Sequence, residues 1–230
     1  MSDSAPRPGP LTARQGGWAY GVFLALMLGL FAAEIVHDYQ PAKLSAFLVV
    51  LFWVPLLALH ETGHAAAAWV LGWHVGQVVI GMGQTVNRFR LGAAVVEVRM
   101  FPVEGFVRCV PTNLRLPQLK SAVIYFAGPG VELLLAGLVL LFVGPDKLFS
   151  RSDDYQLILW QSLAAAAAAQ AVVNLIPQSI QTPRGEMVND GLGIIRSFSL
   201  PEAHYAAMIG QTCNELEETD DPVGWSTPDR

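Results

Sequence analysis

The sequence predicts an all-α polytopic membrane protein with four transmembrane helices and a small membrane-surface β element between helices two and three. Three observations carry this. Of 230 residues, 53% are hydrophobic and only 14% charged, and the mean hydropathy is +0.41, a composition outside the soluble range. Four stretches are apolar over the roughly 20 residues that a helix needs to cross about 30 Å of hydrocarbon. Between the second and third of them, short β-prone runs alternate polar and apolar residues and are punctuated by glycine, the pattern of strands rather than of a span.

Taken in order, residues 1–16 form an N-terminal tail. The first span covers 17–36 and is uncharged from Gln15 to Ala33. Its apolar stretch is too long for a signal peptide, and Phe31-Ala32-Ala33-Glu34 matches a cleavage site only weakly, so it reads as a retained accessory helix. The second span, 44–72, has no charge from 44 to 59. The third, 121–144, holds one charge, Glu132, and the fourth, 155–176, stops at Pro177. The β region falls at 75–110, where Glu97-Val98-Arg99-Met100 alternates. Residues 44–198 form the core, including a segment at 174–198. A C-terminal helix and acidic tail occupy 199–230, the acids (Glu215, Glu217, Glu218, Asp220, Asp221) reading as a solvated end.

Charge sets the expected orientation. With four spans, the N-terminal tail, the whole segment between the second and third spans and the C-terminal segment share one side, and they hold 11 of the 14 basic residues. By the positive-inside rule that side is the cytoplasm, so both termini are expected there, in a protein of the cell membrane. The net charge of −5 lies mainly in the tail, and no basic run suggests nucleic acid as a partner. Cys109 and Cys213 are isolated, which excludes a disulfide framework and a cysteine metal site.

The chemistry lies in His60-Glu61-Thr62-Gly63-His64. Residues 60 and 64 are one helical turn apart on one face, so two imidazoles can grip one metal ion, with Glu61 on the adjoining edge placed to accept a proton from water. Counted at 1.5 Å per residue from Leu44, His60 lies about 24 Å into the bilayer. Histidine and glutamate at membrane depth cost several kcal/mol unless they are paired or serve a site. A catalytic zinc site needs a third protein ligand and an open position. His37 falls on the opposite side, and His74 and His204 are remote. Asp190, which precedes Gly191 and opens the apolar run Leu192 to Phe198, is the better candidate, with a helix-capping role as its alternative. Glu186 is the weaker candidate ligand.

HETGH, followed by Phe-Ala-Gly-Pro-Gly at 126–130 in the next span, then Asn174-Leu175-Ile176-Pro177 and Asp190-Gly191, resembles the site-2 protease family of intramembrane zinc metalloproteases. The stretch Met100 to Val107, with Pro102 and Gly105, resembles the segment that follows the family's first core helix. The likeness covers roughly residues 45–198 and makes the second, third and fourth spans the core. Two departures stand out. Twelve residues separate Pro177 from Asp190, where the family keeps these elements close, and Glu132 stands near a position where the family commonly has Asn.

The resemblance implies Zn2+ on His60, His64 and Asp190, with Glu61 as the catalytic base, hydrolysing peptide bonds of transmembrane protein substrates in the cytoplasmic half of the lipid bilayer. Asn174 would bind substrate backbone or the oxyanion, or else cap a helix end. Glu132 would hold a ligand histidine from the second shell, or stay neutral between helices. The small sheet would pair with an unwound substrate segment, or merely cover the mouth of the site. Two other readings remain: a different membrane HExxH peptidase using Glu186 or Glu132 as third ligand, and a non-catalytic metal-binding or scaffold protein.

Overall fold

The computed structural model describes residues 39–182 and 185–219, together with scattered residues between 22 and 37. The accessory span expected over 17–36 therefore lies largely outside the described residues. Among those described, three helices are long and apolar enough to cross a membrane. They are α1 (Leu44–Val70), α2 (Pro117–Val143) and α4 (Tyr155–Leu175), with a single-turn α3 (Pro145–Leu148) between the last two. The described residues also form two antiparallel hairpins, β1 (Trp73–Leu91) with β2 (Ala94–Pro111) and β3 (Ser179–Thr182) with β4 (Gly185–Val188), and the helices α5 (Asp190–Ser199) and α6 (Glu202–Thr219).

The three long helices pack on one another. In the absence of a hydrophobic drive inside lipid, close packing needs small residues. Ala164, Ala166, Ala167 and Ala171 of α4 are accordingly buried, and Ala166 and Ala167 pack with Leu56 of α1. Gly63 does the same for α1 and α2, since a Cβ there would stand 2.7 Å from the Ala127 carbonyl oxygen. α5 packs on α2, where Ser197 Oγ donates to Ser121 Oγ at 2.8 Å and a Cβ on Gly193 would meet the Tyr125 ring at 2.5 Å. Tyr205 of α6 donates to the Ser197 carbonyl at 3.1 Å and packs edge-on against Trp73.

The first hairpin is folded over. Val78 stands opposite both Val107 and Val96, and Val79 opposite both Phe106 and Glu97, so the start of β1 is flanked on two sides by β2. The bend is made at Gly81 and Gly83, whose φ of 94° and 87° belong to the region that glycine tolerates. The sheet lies along the second half of α1, with Val75 and Cys109 near Ala67 and Ala68, and Gly105 against Glu61.

Candidate metal centre

α1 carries His60, Glu61 and His64 in its last three turns, and all three are buried in this structure. Helical spacing turns both imidazoles to one side, their rings 4.7 Å apart and nearly perpendicular. The two Nε2 atoms converge to 3.0 Å. Asp190 meets them from α5: its Oδ2 lies 3.0 Å from His60 Nε2 and its Oδ1 3.3 Å from His64 Nε2. The histidines of the α1 motif and the aspartate 126 residues beyond it thus reach one point, and the three offer ligand atoms within 4.8 Å of one another.

The opposite ring nitrogens each face an oxygen of α2. His64 Nδ1 is 2.6 Å from the Ile124 carbonyl oxygen. A carbonyl only accepts, so Nδ1 is the donor in this contact and Nε2 is the nitrogen turned toward Asp190. His60 Nδ1 faces Glu132 Oε2 at 3.2 Å, and Glu132 is fully buried. Glu132 therefore lies behind the imidazole, on the side away from the converging atoms, which disfavours it as third ligand. Ile124 and Glu132 both come from α2, so this helix sets the two ring orientations. The carbonyl of Ile124 carries no signal in a sequence.

Glycines make the convergence possible. A Cβ on Gly128, in the Phe-Ala-Gly-Pro-Gly stretch, would stand 2.7 Å from His60 Nε2 and nearer still to His64 Nε2. A Cβ on Gly105 would stand 2.6 Å from Glu61 Oε1. The first glycine lets α2 pass over the imidazoles, and the second lets β2 pass over the glutamate.

The gap between Pro177 and Asp190 is the β3–β4 hairpin, whose base is closed by Asn189. Its side chain donates to the carbonyls of Asn174 (3.0 Å) and Ile176 (2.6 Å), and accepts from Gln178 N (3.0 Å) and Leu192 N (3.2 Å). The inserted residues loop out, and the chain re-enters beside its point of departure. A Cβ on Gly191 would collide with the Leu175 carbonyl oxygen, which is how closely the two ends meet. The helix-capping alternative for Asp190 is thereby corrected: Asn189 is the cap, because it is the residue with extended backbone whose side chain accepts from the α5 amide of Leu192, and Asp190 begins the helix with its carboxylate turned to the histidines.

Glu186 is elsewhere. Both its carboxylate oxygens are held by Arg196, at 3.0 and 2.7 Å, and the guanidinium keeps its carboxyl below the ordinary range. Asn174 contributes its backbone carbonyl to the clamp, and no hydrogen bond of its side chain occurs among the described residues. Burial pushes the Cys109 thiol up to about 11, which keeps it protonated and inert.

The donor set fits a tetrahedral divalent ion. Ligands about 2.0–2.1 Å from such an ion stand about 3.3 Å from each other; here the two Nε2 atoms are 3.0 Å apart, with one Asp190 oxygen 3.0 Å from the first and the other oxygen 3.3 Å from the second. The space that Gly128 leaves open lies over the same two Nε2 atoms, and the neighbouring Glu61 Oε2 is buried without a hydrogen-bond partner. Two imidazoles from α1 and one carboxylate from α5, brought together among apolar spans, suit a membrane metallopeptidase. The chain belongs to peptidase family M50, the site-2 protease family, whose model matches residues 46–212. Comparison with curated protein sequences gives no significant match.

Proposed function

We propose that this protein is an intramembrane zinc metalloendopeptidase that hydrolyses peptide bonds of membrane-spanning substrates within or near the cytoplasmic half of the bilayer. The observation that carries this reading is the convergence of His60, His64 and Asp190 beside a glutamate with an uncommitted buried oxygen. His60 Nε2, His64 Nε2 and the Asp190 carboxylate are the atoms that would hold Zn2+, which when bound polarises a scissile carbonyl and lowers the pKa of water to about 7.

The chain's own residues do the rest. Glu61 takes the proton of the attacking water at Oε2 and returns it to the leaving amine. Glu132 and the Ile124 carbonyl keep the two imidazoles aimed. Glu61 Oε1 lies against β2 at Gly105, so a substrate segment unwound into extended form alongside that strand has its backbone next to the base. Asn174, anchored through its carbonyl, has its amide available for the substrate backbone or the oxyanion. The domain reading follows: 44–198 is the catalytic core, 17–36 an accessory span, and 199–230 an appended helix and tail. Both termini lie in the cytoplasm.

Glu61→Gln separates peptidase from scaffold. Purified Glu61→Gln protein should retain about one zinc per chain, and cells carrying it should accumulate uncleaved membrane protein fragments. Asp190→Ala should lose the metal. A cellular role unchanged by Glu61→Gln would favour a scaffold, and full zinc in Asp190→Ala would remove the third ligand from this scheme.

A further inference from the structure

The face of the β1–β2 sheet turned away from Glu61 has no role in that chemistry. Side chains alternate between faces along a strand. With the Gly105 Cβ position directed at Glu61, Phe106 and Arg108 fall on the opposite face. Arg108 stands opposite Gln77, which stands opposite Val95, which stands opposite Arg90, and Glu97 stands opposite Arg88 in the row beside them. Arg88, Arg90, Arg108, Gln77 and Glu97 line one groove.

The charges in that groove do not balance. Both oxygens of Glu97 are taken, Oε1 by Arg88 (Nε at 3.0 Å) and Oε2 by Arg99 at 3.0 Å. Those guanidiniums hold its carboxyl below the usual range, so it is spent as a counter-ion. Arg90 and Arg108 are exposed and have no acidic partner among the described residues. Glu104, on the same strand, does not line the groove.

Depth suggests what fills it. Twenty helical residues from Leu44 carry α1 across about 30 Å of hydrocarbon, which puts the far edge near His64. The sheet spans from Glu61, beside Gly105, to Ala67 and Ala68, near Cys109 and Val75. Arg108 and Arg90 share the level just beyond that edge, where phospholipid phosphates lie. Phe89, which also lines the groove, is 46% exposed and offers an apolar flank that suits acyl chains and that a soluble anion would not need.

We propose that Arg90 and Arg108, with Gln77 between them, bind the headgroup phosphate of an anionic phospholipid and so seat the sheet against the leaflet. Guanidinium forks suit phosphate oxygens, and an Arg near an anionic surface attracts it measurably. The site goes beyond the peptidase reading and is read by lipid binding alone, without turnover.

The test uses the full chain in detergent, titrated with short-chain phosphatidylglycerol and followed by native mass spectrometry. Arg90→Gln combined with Arg108→Gln should weaken binding by about tenfold or more, with each single variant carrying part of the loss, while Arg115→Gln should bind as wild type. Short-chain phosphatidylcholine should bind more weakly, and inorganic phosphate at equal concentration should not displace the lipid. Wild-type affinity in the double variant would overturn the proposal. So would displacement by phosphate, which would make the groove a free-anion site, or by a peptide copying residues 214–222, which would make the acidic tail its occupant.

Discussion

Asn189 and Asn174 are joined by a 3.0 Å hydrogen bond from the side-chain amide of the first to the backbone carbonyl of the second. This bond closes the β3–β4 hairpin at its base and fixes where α5 begins, and with it the direction of the Asp190 carboxylate. The Asp190 carboxylate, on a separate short helix, is thereby tied to the end of α4, a long helix of the bundle.

Asn189→Ala removes all four of the hydrogen bonds that this side chain makes. Loss of the cap alone costs about 1 kcal/mol, and the opened hairpin base adds to it. Thermal unfolding of the detergent-solubilised chain should shift downward, and zinc affinity should fall although no ligand has been changed. Unaltered metal affinity in this variant would mean that the clamp does not position Asp190.

Gly128→Ala places a methyl over the two Nε2 atoms. Zinc content should drop to a small fraction of wild type, together with peptidase activity. Gly137→Ala in the same helix is the control, because a Cβ there has nothing within 4 Å and alanine is the better helix former. A metal assay that finds the two variants alike would show that α2 can move away from the imidazoles.

Glu132 acts on His60 from behind the ring. Glu132→Ala should reduce zinc affinity by about 10–100-fold, the usual effect of losing an outer-shell partner, and Glu132→Gln should recover part of it by keeping an acceptor near Nδ1. Competition with a chelator of known affinity measures both. Equal losses in the two variants would point to packing rather than to ring orientation.

The Glu186–Arg196 pair gives the stability a pH dependence. Arg196 holds the Glu186 carboxyl below its ordinary value of 4.5 in the folded chain. The stabilisation is therefore complete above pH 4.5 and fades as the pH falls through the lower, folded value. The pair is solvent-exposed, so the difference between wild type and Glu186→Gln should be small at pH 7 and should vanish toward pH 3. Unfolding midpoints across that range test it, and a gap that widened on acidification would contradict the pairing.

The spans were legible because apolar composition over 20 or more residues is a one-dimensional property. The second to fourth lie within a few residues of where hydropathy puts them, and the β region is found at Trp73–Pro111. HETGH was legible for the same reason: one helical turn brings His60 and His64 together whatever surrounds them. The extent of the interval after Pro177 was visible, but its consequence was not, because hairpin closure depends on where Asn189 finds carbonyl partners.

The sequence by itself determined the composition of the bundle, the presence of residue types able to hold a metal and the spacing of the two histidines, all set by local periodicity and by the cost of leaving polar groups in lipid. Only the tertiary structure decided which carboxylate meets those histidines and which lies behind them. Asp190 and Glu132 are both acids in or beside apolar segments, with nothing local to tell them apart. The packing of α2 and α5 around Gly128 and Gly191 puts one at the Nε2 atoms and the other at Nδ1, because ring orientation is a property of three helices at once.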